Sequence, residues 1–179
     1  MRVYIARHAE TNYNILGLCN DSPDVNVYLT SKGIEQAELL AKTLKDVSFD
    51  LIITSDFPRT KETARIVNQH HNAQTISDSR INDVLTGFEG KPVSEFREAR
   101  RNAKDRWVVR LNGGESFEDE KVRISKFLQD LKLRDEKCIL VVTHQAIARL
   151  IYARVFDVPN EEVDSIEVSN THCFDFEFR

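Results

Sequence analysis

The chain has 179 residues, of which 41% are hydrophobic and 30% are charged, and its formal net charge is −4. This length predicts a single domain over residues 1–179, and the negative charge argues against nucleic acid or a membrane surface as a general partner. The sequence contains neither a basic leader followed by an apolar run nor eighteen uncharged apolar residues together. We therefore expect a cytoplasmic protein without a signal peptide or a membrane span.

The predicted elements alternate between strands and helices. Continuous apolar runs at VYIA (3–6), LIIT (51–54) and CILVVT (138–143) are typical of central strands that are covered on both faces. Between the first two runs, Thr30 is a candidate N-cap for a helix. The apolar residues at helical spacing after it are Ile34, Ala37, Leu40, Ala41 and Leu44.

Three further helices and a last strand follow. Pro58 closes a turn after LIIT and begins a second helix, and AIARLIYARVF after CILVVT predicts another. A helix before CILVVT has an apolar stripe formed by Phe117, Ile124, Phe127, Leu128 and Leu131. The tail CFDFEF alternates phenylalanine with acidic residues, the period of a half-exposed strand at or near a sheet edge. This order predicts an α/β fold, a three-layer α/β/α sandwich with a mostly parallel sheet and one antiparallel edge strand.

A basic segment, EFREARRNAKDRWVVR (95–110), separates the second and third helices. We expect a helical insertion or lid around 85–112 that leans over the functional site. The alternative is a solvated helix face without a role in binding.

The predicted strands end in residues that suit an anion site. VYIA runs into Arg7 and His8, LIIT is followed by Arg59, and CILVVT is followed by His144. Ligands of open α/β sheets bind outside the carboxyl ends of parallel strands, so these four side chains are expected in one crevice. Two guanidiniums and two imidazoles in one pocket suit a multiply charged anion, and phosphate oxygens match guanidinium geometry. Neither GxGxxG nor GxxxxGK[ST] is present, so side chains must hold the phosphate.

Four stretches in this order, ARHAETNYN, LTSKGIEQA, SDFPRTKETA and VVTHQAIARLI, resemble the motifs of the histidine phosphatase (phosphoglycerate mutase-like) superfamily. The resemblance covers nearly the whole chain. It implies that His8 is the nucleophile that becomes phosphohistidine. It also implies that Arg7, Arg59 and His144 bind the transferring phosphoryl group.

The same resemblance implies a second group of site residues. Asn14 matches a phosphate ligand, Thr11 a supporting hydroxyl, and Ser55 the turn that presents Arg59. Gln145 stands where some members have an aspartate, and HQA resembles fructose-2,6-bisphosphatase domains, so we take Gln145 as substrate-binding. Ala9 replaces a glycine, which requires a backbone there that accepts a Cβ.

The leaving group needs a proton donor, which the resemblance places in RINDVLTGFEG. This stretch is similar to a family pattern with one residue more, and it puts Asp83 at the position of the general acid. Glu89 is the alternative. Asp83 would first protonate the leaving group and then activate the water that cleaves phosphohistidine.

Three functions remain open at this point. The first is a metal-independent phosphomonoester hydrolase without a cofactor, acting on a small phosphorylated metabolite. The second is phosphoglycerate mutase-type transfer, disfavoured because the chain has little room for loops that shield phosphohistidine. The third is a non-catalytic phospho-ligand binder. The substrate is set by the loops 15–28 and 85–112, which contain no recognisable code, and the apolar edge strand suggests a homodimer.

Overall fold

The computed structural model describes residues 1–178, and within them five strands form one sheet. The strands are β1 (Arg2–Arg7), β2 (Leu51–Thr54), β3 (Gln74–Ser77), β4 (Cys138–Thr143) and β5 (Cys173–Glu177), in the spatial order β3-β2-β4-β1-β5. β4 is parallel to both β1 and β2, and β2 is parallel to β3. Only β5 is antiparallel, pairing with β1 so that Phe174 lies opposite Ile5. The predicted antiparallel edge strand is therefore confirmed.

Helices connect and cover the strands. They are α1 (Asn12–Leu16), α2 (Ser31–Leu44), α3 (Pro58–Val67), α4 (Val93–Asn102), α5 (Phe117–Lys132) and α6 (Gln145–Val155), with short 3₁₀ turns at Asn68–His70, Ser79–Ile81 and Asn160–Ser165. No helix within residues 1–178 is long and apolar enough to cross a membrane.

Successive strand residues contribute to two separate cores, one on each face of the sheet. Ile5, Ile53 and Val141 pack with residues of α5 and α6, whereas their neighbours Tyr4, Ile52 and Leu140 pack with residues of α2 and α3. This alternation follows from the period of two in a strand. The structure confirms the three-layer α/β/α sandwich.

Helix α2 begins as predicted but buries a face shifted by one residue. Thr30 Oγ1 accepts a hydrogen bond from the backbone N–H of Gly33 at 3.0 Å, which is the predicted N-cap. Ile34 is 42% exposed, so its assignment to the apolar stripe was wrong. Gly33 is buried instead. Its backbone lies so close to Glu10 that a Cβ on residue 33 would be 2.1 Å from the carbonyl oxygen of Glu10. The helix thus packs its backbone against the segment that follows β1.

The sequence pattern did not indicate β3, and it predicted too long a helix in the basic segment. QTIS is short and largely exposed at the second sheet edge, so it lacks an apolar pattern. Helix α4 begins at Val93 and ends at Asn102, so residues 103–110 are not helical. Ala103 has extended backbone angles, and the Trp107 ring packs 4.8 Å from the Phe117 ring, which draws the chain toward α5.

Candidate active site

Three parallel strands bring the predicted cationic residues to one edge of the sheet. Arg7 ends β1 and His8 follows it, Arg59 lies in the first turn of α3 after β2, and His144 follows β4. The ring centroids of His8 and His144 are 5.3 Å apart. All of these residues except His144 line a cavity of about 730 Å³, bounded also by Asn14 and α4. The structure therefore places these four side chains in one cluster.

The hydrogen bonds of His8 fix its tautomer. His8 Nδ1 is 2.7 Å from the carbonyl oxygen of Ala9, which can only accept, so Nδ1 carries the proton. His8 Nε2 accepts a hydrogen bond from Arg59 Nε at 3.2 Å, so Nε2 presents its lone pair. Nε2 is therefore the nitrogen of His8 that can act as a nucleophile.

The surroundings of His8 keep its ring neutral. The side chain is only 2% exposed, and burial lowers its pKa well below the usual value. The charges of Arg59 and Arg7 lower this pKa further. A neutral imidazole retains the lone pair that attack on phosphorus requires.

Arg59 connects the nucleophile to the predicted acid. Its NH2 donates to Asp83 Oδ2 at 2.9 Å, and its NH1 donates to Asn20 Oδ1. The guanidinium carbon lies 4.4 Å from the centroid of the Phe57 ring, which holds it from the other side. Burial lowers the pKa of this arginine, while Asp83 opposes that effect. These three contacts hold Arg59 in place with its Nε–H directed at His8 Nε2.

Arg7 keeps part of its donor capacity for a ligand. Its NH1 donates to the carbonyl oxygen of Val168 at 2.8 Å, whereas its buried Nε has no hydrogen-bond partner within the described residues. Burial lowers the pKa of Arg7 to about 10, with Arg149 and Arg59 adding to the effect and Asp83 opposing it. An unsatisfied buried donor is costly, so an anion next to Arg7 would supply a missing acceptor.

His144 lies behind the cavity wall and touches Asp83. Its Nδ1 is 3.4 Å from Asp83 Oδ2, and its Nε2 is 2.8 Å from Ser55 Oγ. The ring is fully buried, and burial is the main cause that lowers its pKa well below the usual value, with the charges of Arg59, Arg123 and Arg7 acting in the same direction. His144 is therefore a neutral ring between a hydroxyl and a carboxylate.

A chain of two buried hydroxyls selects the tautomer of His144. Thr60 Oγ1 donates to the carbonyl oxygen of Phe57 at 2.9 Å and lies 2.7 Å from Ser55 Oγ. A hydroxyl has one proton and a carbonyl oxygen can only accept, so Ser55 donates to Thr60, and Ser55 Oγ accepts from His144 Nε2 at 2.8 Å. The ring proton is therefore on Nε2. Nδ1 lies 3.4 Å from Asp83 Oδ2 and has no hydrogen-bond partner within the described residues.

The two candidate acids lie in different surroundings. Asp83 lines the cavity and contacts both Arg59 and His144. Glu89 is not part of the cavity wall; its Oε2 accepts from the backbone N–H groups of Asp21 at 2.6 Å and Ser22 at 3.0 Å. Glu89 therefore holds the 20–22 loop, and the geometry favours Asp83 as the proton donor.

Comparisons with known proteins show the family to which the chain belongs. The model of the histidine phosphatase superfamily (branch 1) matches residues 3–179. The chain belongs to this superfamily. It is 31% identical to an adenosylcobalamin/alpha-ribazole phosphatase of Escherichia coli, over 90% of this chain and 82% of that protein. It is 30% identical to phosphoserine phosphatase 1 of Hydrogenobacter thermophilus, over 88% of this chain and 77% of the relative.

A solved member of the histidine phosphatase superfamily has a very similar fold. The crystal structure of the alpha-ribazole phosphatase from Shigella flexneri superposes with a TM-score of 0.86 at 28% identity, covering 100% of this chain and 91% of that one. The fold and the order of the motifs thus both agree with the family assignment.

The remaining predicted ligands have structural contacts as well as cavity positions. Thr11 caps α1 through its hydroxyl, which accepts from Asn14 N, while Asn14 Oδ1 accepts from Thr11 N. Gln145 Nε2 donates to the carbonyl oxygen of Val168 at 3.0 Å, the same oxygen that Arg7 uses. All three predicted ligands line the cavity. Their contacts with a substrate remain predictions.

Sequence reasoning missed two asparagines that organise the site. Asn20 accepts from Arg59, and Asn170 Nδ2 donates to the carbonyl oxygen of His8 at 3.0 Å. Both lie in loops without a motif, far along the chain from the residues they contact. Ala9 is fully buried, its N–H donates to Thr63 Oγ1 at 3.1 Å, and its φ is not positive, so the backbone accepts the Cβ there.

Proposed function

We propose that this superfamily member is a phosphomonoester hydrolase that works through a phosphohistidine on His8. The observation that carries this proposal is the tautomer of His8: its proton is directed to a backbone carbonyl, and its Nε2 lone pair lies among cationic donors. The relatives named above are phosphatases, which supports hydrolysis as the reaction class.

In the first step, His8 Nε2 attacks phosphorus and the bond to the alcohol oxygen breaks. Arg59 must then give its Nε–H to a phosphoryl oxygen instead of to His8. Arg7 supplies further donors to the equatorial oxygens. These contacts neutralise the phosphoryl charge, which is the main work that the protein has to do.

Asp83 moves the proton in both steps. The phosphoryl group competes with Asp83 for the donors of Arg59. Asp83 then protonates the leaving alkoxide, and in the second step it accepts a proton from the water that attacks phosphohistidine. Water oxygen becomes part of inorganic phosphate, and His8 returns to its neutral state.

We propose that this reaction needs no metal ion or cofactor. The cations that face the phosphoryl site are side chains, Arg7 and Arg59. Residues 1–178 contain no group of three or more His, Cys, Asp or Glu that could hold a metal ion. Activity that is unchanged in EDTA supports this part of the proposal, and activity restored only by added metal contradicts it.

A phosphate-release assay over phosphorylated sugars, glycerates and amino acids tests the function. We expect release by the wild type and none by His8→Ala, with His70→Ala as the matched control because His70 is exposed and lies outside the cavity. Isomerised product without release indicates the mutase instead. Binding without either product indicates the non-catalytic binder.

A further inference from the structure

Two carboxylates outside the cavity wall join the loops that carry the neighbours of Arg59. Asn20 and Asp83 accept hydrogen bonds from the two terminal nitrogens of Arg59, and they lie in the loops that follow α1 and β3. Asp21 comes directly after Asn20, and Glu89 lies in the same loop as Asp83. Neither Asp21 nor Glu89 lines the cavity. The proposed mechanism assigns no step to either carboxylate.

Asp21 binds a turn of the second loop. Its Oδ1 accepts from the backbone N–H of Thr86 at 2.9 Å and from Thr86 Oγ1 at 2.8 Å. Its Oδ2 accepts from the backbone N–H groups of Gly87 at 2.8 Å and Phe88 at 3.2 Å. Gly87 has a φ of 74°, in the left-handed region, where successive N–H groups converge on one anion. Four donors thus meet a single carboxylate, and both of its oxygens accept.

Glu89 makes the reciprocal contacts with the first loop. Its Oε2 accepts from the backbone N–H groups of Asp21 at 2.6 Å and Ser22 at 3.0 Å, and from Asn20 Nδ2 at 3.2 Å. Asn20 Nδ2 also donates to the carbonyl oxygen of Ser22 at 2.9 Å. Because the amide nitrogen of Asn20 is bound on this side, its Oδ1 is turned toward Arg59. Each loop therefore supplies a carboxylate that binds the backbone of the other.

Asn20 keeps its contact with Arg59 when a phosphoryl group binds. The phosphoryl oxygens take the Nε–H of Arg59 from His8 and compete with Asp83 for the NH2 group. The contact of NH1 with Asn20 is the one that persists. Alignment of donors with reacting groups supplies a large part of the rate, and a displacement of about 1 Å can cost 100-fold. The position of Asn20 therefore affects every step.

We propose that Asp21 and Glu89 are positioning residues, which lock the 20–22 loop to the 86–89 loop and thereby hold Asn20 against Arg59. The inference rests on the proposed function, because Arg59 is the phosphate ligand that it orients. Neither carboxylate lines the cavity, so their effect on phosphate passes through Asn20.

Asp21→Asn breaks these contacts with almost no change of shape. The new amide nitrogen replaces an oxygen that accepts from two donors, so one half of the turn loses its acceptor. The substitution also removes a negative charge close to an anion site, which by itself would strengthen phosphate binding. Weaker binding therefore indicates that Arg59 is displaced. Asp24→Asn is the matched control, because Asp24 is exposed in the same loop and lies outside the cavity wall.

Two quantities test the positioning role: the Kd of inorganic phosphate from titration calorimetry, and kcat/KM for p-nitrophenyl phosphate and for an alkyl phosphate. We expect Asp21→Asn and Glu89→Ala each to raise the Kd and lower kcat/KM by roughly tenfold, equally on both substrates. Glu89 is exposed, so its replacement does not threaten the fold. Asp24→Asn should leave both quantities unchanged.

An Asn20→Ala background separates positioning from a general effect on folding. Arg59 has already lost this acceptor there, so adding Asp21→Asn should change either quantity by less than about twofold. Independent effects would instead multiply. The same factor of loss in the wild-type and Asn20→Ala backgrounds would mean that the two loops only stabilise the fold, and it would overturn the positioning role.

Two further results would overturn the positioning role. One is an Asp21→Asn variant whose Kd and kcat/KM stay within about twofold of the wild type. The other is a loss confined to the alkyl phosphate, which would place the effect on Asp83. Either result leaves the phosphatase function standing. That function fails instead if the wild type hydrolyses no phosphomonoester, and the Kd of phosphate still tests the positioning role in that case.

Discussion

Replacing Ser55 with alanine tests whether a buried hydroxyl sets the working tautomer of His144. Ser55 Oγ lies 2.8 Å from His144 Nε2 and 2.7 Å from Thr60 Oγ1, and all three residues are fully buried. Ser55→Ala removes the acceptor of the Nε2 proton. The ring proton can then move from Nε2 to Nδ1, which places an N–H against the Asp83 oxygen that has to deliver a proton to the leaving group.

The expected size of the effect follows from these contacts. A buried nitrogen that loses its partner costs about 1–3 kcal/mol, so the free energy of unfolding should fall by that amount. A displaced ring proton interferes with proton transfer from Asp83, and general acid catalysis contributes roughly 100-fold, so kcat for an alkyl phosphate should fall by up to that factor. Thr60→Val removes the acceptor of the Ser55 proton, so we expect kcat to fall in the same direction by a smaller factor.

Steady-state kinetics with an alkyl phosphate and thermal unfolding separate the catalytic effect from the structural one. Ser125→Ala on α5 is the control, because Ser125 is not part of the cavity wall. The reasoning is refuted if Ser55→Ala unfolds at a lower temperature but retains a kcat within about threefold of the wild type. Ser55 would then only shape the turn before α3.

Asp83→Asn should lower kcat for an alkyl phosphate by roughly 100-fold but affect p-nitrophenyl phosphate much less, because only the alkoxide needs a proton. Glu89→Gln is the control and should leave the ratio of the two rates unchanged. Equal losses on both substrates by Asp83→Asn would contradict the acid role. Burial raises the pKa of Glu120 to about 7, so the free energy of unfolding should fall as pH rises from 4.5 to 7. Glu120→Gln should remove about 3 kcal/mol of this dependence in chemical denaturation, and an unchanged dependence would contradict it. Nitrogen NMR should show His8 neutral, with its proton on Nδ1, at pH 5.5; an imidazolium there would contradict the lowered pKa.

The fold could be predicted because its signals are local. VYIA, LIIT and CILVVT are buried strands as their composition indicated, and Thr30 caps α2 with the contact expected of it. Errors arose where tertiary packing overrides local pattern. Close packing of Gly33 against Glu10 decides which face of α2 is buried. The packing of Trp107 against Phe117 ends the helical part of the basic segment early.

The site could be predicted only as a set of residue types at strand ends. The contact of Ser55 with His144 joins residues 89 positions apart, and nothing in SDFPR indicates it. Asn170 lies in a loop without a motif, so its contact with the carbonyl oxygen of His8 has no sequence signal. Proton positions and charge balance depend on distances, and those appear only once the chain is folded.

The most direct test of the account is to trap the covalent intermediate. The enzyme is mixed with ³²P-labelled phosphomonoester, quenched within milliseconds in alkali, digested and mapped by mass spectrometry. We expect a phosphoryl group on His8 that survives alkali, is lost in acid and is absent from His8→Ala. Rapid turnover with no adduct, or with the label on another residue, would contradict His8 as the nucleophile.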